Sequence, residues 1–158
     1  MKILSGVYPY GSYEGQISLN GEELKLSHES IHQAIDKGIA IVYQELALIP
    51  YMTVGENIYL GREPSKRGII NWHQLYADTQ KVLEKYDLNI PFSARVSTLG
   101  VGKQQMVEIA KALSEDAKIL ILDEPTSALT ESEVETLMDI LRRLKESGVT
   151  CIYISHKL

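Results

Sequence analysis

Cysteine is nearly absent from this chain: one residue in 158, Cys151, inside the apolar run Val149-Thr150-Cys151-Ile152-Tyr153-Ile154. A single thiol rules out a disulfide framework and makes a reducing compartment the simpler expectation. There is no apolar stretch of the roughly 20 residues that a membrane-spanning helix needs, and no stretch reads as a signal peptide. A membrane role would therefore run through a partner. An excess of basic residues is lacking too: the formal net charge is −5, which gives no general reason to expect nucleic acid. Internal repeats, low-complexity tracts and charged tails are likewise missing. What remains is an ordinary globular composition, 44% hydrophobic and 23% charged, long enough for one domain with a core.

The most informative stretch is Lys118-Ile119-Leu120-Ile121-Leu122-Asp123-Glu124-Pro125-Thr126. Four consecutive large aliphatics suit a strand buried on both faces of a parallel sheet. Asp123 and Glu124 then emerge at its carboxyl end, where open α/β sheets place their ligands. Carboxylates are costly to bury there unless something uses them, and a Mg²⁺-nucleotide is the obvious user.

The rest of the chain is organised around this strand. Residues 1–6 read as a helix end closed by Gly6, and Tyr8-Pro9-Tyr10-Gly11 as a turn. Asn20-Gly21, flanked by alternating residues from Gly15 to Leu24, is a strong hairpin signal. Ser27 to Lys37 reads as a short helix stopped by Gly38, and Ile39 to Tyr43 as a second buried strand leading to Gln44. From Leu46 to Ala117 the pattern is helical with few β-runs. Helices are expected over Val54–Leu60, Trp72–Tyr86 and Gly102–Ser114, with a loop from Asn89 to Leu99. Met106, Ile109, Ala110 and Leu113 take core-facing spacing in the last of these helices. Thr130-Glu131-Ser132-Glu133 fits a capping box, and Val134, Leu137, Leu141 and Leu144 form the stripe of the helix it opens. Gly148 ends that helix, and Val149 to Ile154 makes the next buried strand in a βαβ unit.

Each chemical landmark is weak alone. Asp123 could hold Mg²⁺ and Glu124 could orient or deprotonate a water; the alternative is a strand end followed by a Pro turn. Gly100-Val101-Gly102-Lys103-Gln104-Gln105 enters a helix whose N-terminal N–H groups suit an anion, but a glycine loop feeding a core helix has the same pattern. Gln44 after one strand could touch a metal or water, and His156 after another could reach a terminal phosphate. Isolated, both residue types are more often structural or solvent-exposed.

The order of these landmarks changes the odds. Over essentially its whole length the chain resembles the ATP-binding-cassette ATPases. Val42-Tyr43-Gln44-Glu45 is similar to their Q-loop, and Leu99 to Gln105 to their signature motif. Ile119 to Glu124 resembles Walker B, Ser127-Ala128-Leu129-Thr130 the D-loop, and His156 the switch histidine. More narrowly, Leu4 to Pro9, Tyr13-Glu14-Gly15 and Gln104 to Leu113 resemble the monosaccharide importers of the xylose, ribose and galactose type, whose ATPases carry two cassettes in tandem. This chain resembles the first.

The resemblance implies a partial P-loop NTPase (RecA-like) α/β core from residues 1–45 and 118–158. An α-helical subdomain at 46–117 and a small antiparallel β element complete it. It implies ATP and Mg²⁺, with Glu124, His156 and Gln44 catalytic, Asp123 and Gln44 at the metal, and Gly100, Val101, Gly102, Lys103 and Gln104 at the nucleotide. It also implies a membrane permease subunit, a second cassette and, indirectly, a periplasmic or extracellular sugar-binding protein as partners, at the cytoplasmic face of the membrane. Tyr51 to Asn57 is then the expected permease contact. A non-catalytic permease-interacting module and a soluble cassette ATPase of DNA repair or translation are the competing readings. The repair ATPases carry long coiled-coil insertions, which this sequence lacks.

The sequence departs from the family pattern in three places. No Gly-x-x-x-x-Gly-Lys-Ser/Thr occurs in the 158 residues, so the chain is expected to be a fragment of such an ATPase subunit and inactive alone. Gly100 stands where the family has Ser, Lys103 where it has a polar residue, and Thr130 where it has Asp. Loss of the serine hydroxyl implies weakened phosphate sensing; the helix donors remain.

Overall fold

The computed structural model describes residues 8, 10–25 and 30–155, without the side chains of residues 30–32. The expected helix at residues 1–6, the start of the helix expected at Ser27, and His156 lie outside the described residues. In chain order the elements are β1 (Ser18–Leu19), β2 (Glu22–Glu23), α1 (Ser30–Asp36), β3 (Ile39–Val42), α2 (Val54–Ile58), β4 (Ser65–Lys66), β5 (Ile69–Ile70), α3 (Trp72–Lys85), a 3₁₀ turn (Val96–Thr98), α4 (Val101–Leu113), β6 (Ile119–Asp123), α5 (Glu131–Glu146) and β7 (Thr150–Ile154). Among the described residues, no helix is long and apolar enough to cross a membrane.

The sheet that positions the site is parallel, in the order β3-β6-β7. Alternation along β6 sends Leu120 and Leu122 into one apolar cluster and Ile119 and Ile121 into another, as burial on both faces requires. On the larger side, Ala40 and Val42 of β3 meet Val107, Ile109 and Ala110 of α4 and Leu137, Ile140 and Leu144 of α5. On the smaller side, Ile39 and Ile121 meet Ala34 of α1 and Leu24, just past the β1–β2 hairpin. Full burial of each such aliphatic is worth about 1.5–3 kcal/mol. The four buried residues of α5, Leu137, Ile140, Leu141 and Leu144, are thus ample to hold that helix on the sheet. The stripe shifts slightly from expectation, since Val134 is only half-buried and Ile140 joins it. On α4 the expected Met106 is likewise only partly buried, while Val107 is fully buried.

The turn at Asn20-Gly21 is observed, with φ of 53° and 84°, the two positive values a type I′ hairpin requires. A second hairpin, β4–β5, interrupts the stretch read as helical. It turns on Arg67-Gly68, again with both φ positive (54° and 79°). Strands of two residues carry almost no periodicity, and Arg at the first turn position gives no turn signal. β7 is less covered than its sequence suggests: Ile152 and Tyr153 are 39% and 37% exposed. Among the described residues it pairs only with β6, so one of its edges has no described strand beside it.

Asn57 locks the start of the helical stretch. It is fully buried, accepts from the Ile49 N–H through Oδ1 at 2.7 Å, and donates from Nδ2 to the carbonyls of Ile49 and Thr53 at 3.1 and 3.0 Å. Truncation would strand the Ile49 N–H, at about 1–3 kcal/mol for an unsatisfied group, while the Ile49 and Thr53 carbonyls keep the Met52 and Asn57 N–H groups. Asn57→Ala is therefore expected to lower the unfolding free energy by that amount, read as a lower urea midpoint with an unchanged slope. A midpoint equal to wild type would show that water replaces these bonds without cost.

Candidate functional site

Parallel pairing decides what meets at the carboxyl end of the sheet. Val42 pairs with Leu122 and Asp123 with Ile154. Gln44 and Glu124 therefore each lie two residues beyond the same cross-strand pair. Glu124 leaves the strand with φ +46°, its N–H donating to the Ile154 carbonyl at 2.9 Å and its own carbonyl accepting from the Ser127 N–H at 3.3 Å. A left-handed conformation at a residue other than glycine costs on the order of 1–3 kcal/mol. Asp123 and Glu124 are both half-buried. Gln44 is exposed and donates from Nε2 to the Ser127 hydroxyl at 3.5 Å. The Thr126 and Tyr153 hydroxyls lie 2.7 Å apart, joining the same turn to β7.

A second set of bonds holds the segment that leads into the glycine loop. The 3₁₀ turn and the residues before it are laced to the segment that enters α2. The Ser97 and Val96 N–H groups donate to the carbonyls of Pro50 and Met52 at 2.8 and 3.0 Å, and the Val54 and Gly55 N–H groups to those of Ala94 and Phe92 at 2.9 and 3.0 Å. From there the chain passes into Gly100, the residue before α4, which offers no side-chain cap. The Gly102 N–H is instead taken by Oε1 of Glu133, on α5, at 3.2 Å. Val101 and Lys103 are exposed. Gln104 turns its amide back onto the Leu99 carbonyl at 2.8 Å, so it props up the loop. Gln105, buried beside it, has an Nε2 with no partner.

α4 also holds the loop that carries Gln44. Glu108 accepts from the Ala47 N–H at 2.7 Å. Burial pushes its carboxyl above the ordinary glutamate range, against the Ala47 N–H and the nearby Lys111, which pull it down. Glu108 and Glu133 are the two residues that sequence reasoning did not place at this site. A lone carboxylate inside Val107-Glu108-Ile109-Ala110 was the available signal for the first; for the second the capping-box pattern accounted for the residue and hid its other contact. Part of the segment expected to meet a permease is buried. Tyr51 is 82% exposed, whereas Val54, Gly55 and Asn57 are buried.

Among the described residues no three His, Cys, Asp or Glu side chains gather into a metal cluster. The hard oxygen donors at the strand ends, the Asp123 carboxylate and the Gln44 amide oxygen, fit Mg²⁺, which typically takes one or two protein carboxylates and completes its shell with water and phosphate oxygens. The donor set does not fit a softer metal, since the one thiol, Cys151, points its Sγ at the Val149 carbonyl and is pushed up by burial.

A family profile described as "ABC transporter" matches residues 1–127. The xylose import ATP-binding protein XylG of Thermoanaerobacter pseudethanolicus is 60% identical over all 158 residues. The L-arabinose transport ATP-binding protein AraG of Geobacillus stearothermophilus is 54% identical over the same length. The chain spans 31% and 30% of the length of these two relatives. Among solved structures, an ATP-binding cassette of an ABC transporter in its ADP conformation superposes with a TM-score of 0.81 at 22% identity, over 99% of this chain and 64% of the other. A dimeric cassette in a post-hydrolysis state, bound to ADP and Pi, superposes with a TM-score of 0.73 at 26% identity, over 99% and 68%.

The half-buried Glu108 makes a pH prediction. Its carboxyl titrates higher folded than unfolded, so the folded state favours the protonated form. The cost of ionising it therefore appears as pH rises past the unfolded value and is complete above the folded one. Glu108→Gln keeps an acceptor for the Ala47 N–H and removes the charge. The variant's denaturation midpoint relative to wild type should rise with pH from about 4 toward neutrality. A difference that is flat with pH would show that the Glu108 carboxylate is well solvated.

Proposed function

Since this chain belongs to the ABC transporter family, we propose that it is part of the ATP-hydrolysing subunit of a bacterial sugar importer of the xylose or arabinose type. The observation that carries the reading is the shared end of β3 and β6, where Gln44 and the Asp123-Glu124 pair follow one cross-strand register. The relatives' names supply the sugar class.

In this reading residues 1–45 and 118–158 belong to the ATPase core and 46–117 form a helical subdomain. Glu124 polarises the attacking water and His156 holds the terminal phosphate. Gln44 and Asp123 hold Mg²⁺, which when bound neutralises charge on the phosphates. Gly100 to Gln104 face the nucleotide of a second cassette through the donors at the start of α4 other than the Gly102 N–H, which Glu133 takes, with Lys103 adding a cation. Tyr51 and the neighbouring Ile49, both exposed, meet the permease at the cytoplasmic face of the membrane, and a sugar-binding protein delivers the sugar from the far side. The 158 residues contain no Gly-x-x-x-x-Gly-Lys-Ser/Thr, so the activity belongs to the intact protein.

General-base assistance is typically worth ~10²–10⁴ in rate. In the intact protein Glu124→Gln is expected to cut ATP turnover by about that factor while ATP binding, read by equilibrium titration, is retained. Turnover within about tenfold of wild type would remove Glu124 from the role.

A further inference from the structure

Among the described residues, three helices supply their own N-terminal caps. Thr53 accepts from the Glu56 N–H at the start of α2, Asn71 from the Gln74 N–H at the start of α3, and Thr130 from the Glu133 N–H at the start of α5. α4 does not, because Gly100 has no side chain. Its first turn is also the turn that carries the glycine motif, so the one helix whose N-terminus matters most to the site lacks a local device to fix it.

Glu133 supplies one from another element. Within its own box, Oε2 accepts from the Thr130 N–H at 3.0 Å and the Thr130 hydroxyl at 2.8 Å. A capping box needs no more than this. The other oxygen, Oε1, reaches across to the Gly102 N–H, 31 residues earlier in the chain. The fit is tight on the Gly102 side. A Cβ built there would lie 2.7, 2.9 and 3.0 Å from Oε1, Cδ and Cγ of Glu133, so any larger residue at 102 would push this side chain away. The Thr130 backbone, the Thr130 hydroxyl and the Gly102 N–H together hold the Glu133 carboxyl below its ordinary range. It is therefore ionised near neutrality, where a carboxylate is favoured at a helix N-terminus.

We propose that Glu133 is a positioning residue that ties the glycine turn of α4, which faces the second cassette's nucleotide, to the loop following Asp123 and Glu124, which faces this chain's own, fixing the spacing between the two surfaces. The proposal rests on the ATPase reading above. Apolar packing of α4 and α5 against the sheet is not directional. A bond from a charged acceptor adds direction and is stronger than a neutral one. Glu108 performs the corresponding service further along α4, where it holds Ala47 in the loop that follows Gln44.

The test uses the intact protein in which this chain resides. Glu133→Ala is expected to raise the KM for ATP by about fivefold or more, the factor that one ordinary hydrogen bond is worth, with a smaller change in kcat. Glu133→Gln, whose single oxygen can serve Gly102 or Thr130 but not both, should fall between Ala and wild type. Hydrogen exchange measured by mass spectrometry over residues 100–104 reads the tie without any activity: protection at Gly102 should be lost in Glu133→Ala and reduced in Glu133→Gln. Unchanged exchange in either variant overturns the proposal. So does an unchanged KM accompanied only by a lower kcat or melting temperature, since that pattern belongs to a cap that stabilises α5 alone. If Glu133→Ala fails to fold, Glu133→Gln decides by the same two readouts. Wild-type protein that hydrolyses no ATP but shows the exchange difference would sink the ATPase reading and leave the tie standing.

Discussion

Val42 and Leu122 face each other across two parallel strands, and everything at the candidate site is counted from that pair. A slip of one residue would invert the sides of β6, sending Ile121 toward α4 and Leu122 toward α1. The penalty is severe because β6 is buried on both faces, in clusters of different size. The same register sets Gln44 level with Glu124. Burial of Leu120, Ile121 and Leu122 is thus what places a polar pair at the strand ends: the apolar part of the strand chooses the register and the carboxylates inherit it.

Strand pairing cannot place the glycine turn, because Gly100 to Gly102 belong to no strand. The larger apolar cluster runs without a break from Val42 and Leu122 through Val54, Ile58 and Val107 to Leu137 and Leu144. It keeps α4 against the sheet. Burial alone, however, tolerates sliding and rotation, since it is proportional to area and has no preferred direction. Direction comes from a few polar contacts at the edges of that cluster. Ala47 bonds to Glu108, Gly102 to Glu133 and Gln44 to Ser127, while the backbone bonds between 50–55 and 92–97 carry the loop between them. α4 is involved in two of these three side-chain ties, so a shift of that helix is felt both at the Gln44 loop and at the turn after Glu124.

What could be read from the sequence was whatever a single local rule decides. The aliphatic run of β6, the Asn20-Gly21 turn and the Thr130-Glu133 box each follow from residues within a few positions of one another, and each appears where it was read. The β4–β5 hairpin was hidden because two-residue strands have no period to detect and Arg67 takes a conformation that Arg does not advertise. The burial within Tyr51 to Asn57 was not legible for a related reason. Tyr51 to Asn57 was read as one contact surface, but Asn57 and Gly55 are buried, Asn57 by bonds to Ile49 and Thr53 and Gly55 by close approach of Leu75 and Thr79. Glu108 and Glu133 were missed at the site because their partners, Ala47 and Gly102, lie 61 and 31 residues away. No local pattern encodes a contact of that span.

The backbone of Glu124 is the remaining point where sequence, strain and chemistry meet. Five residues other than glycine have positive φ among the described residues. Asn20 and Arg67 do so in hairpin turns, and Asp87 and Asp116 just beyond the ends of α3 and α4, positions where such a conformation is ordinary. Glu124 does so at the end of a central strand, and it has neither the short polar side chain of Asn or Asp nor the freedom of Gly to ease it there. The sheet must therefore impose the conformation, through the N–H that still bonds to Ile154 in β7 and the carbonyl that already serves Ser127 in the next turn. A residue held on both sides in this way starts its side chain from a fixed direction. Such pre-organisation is what a group that must align a water needs, because the entropy of aiming it is removed before substrate arrives. A carboxylate that served only to end the strand would gain nothing from the strain, and a glycine at 124 would adopt the same turn without it.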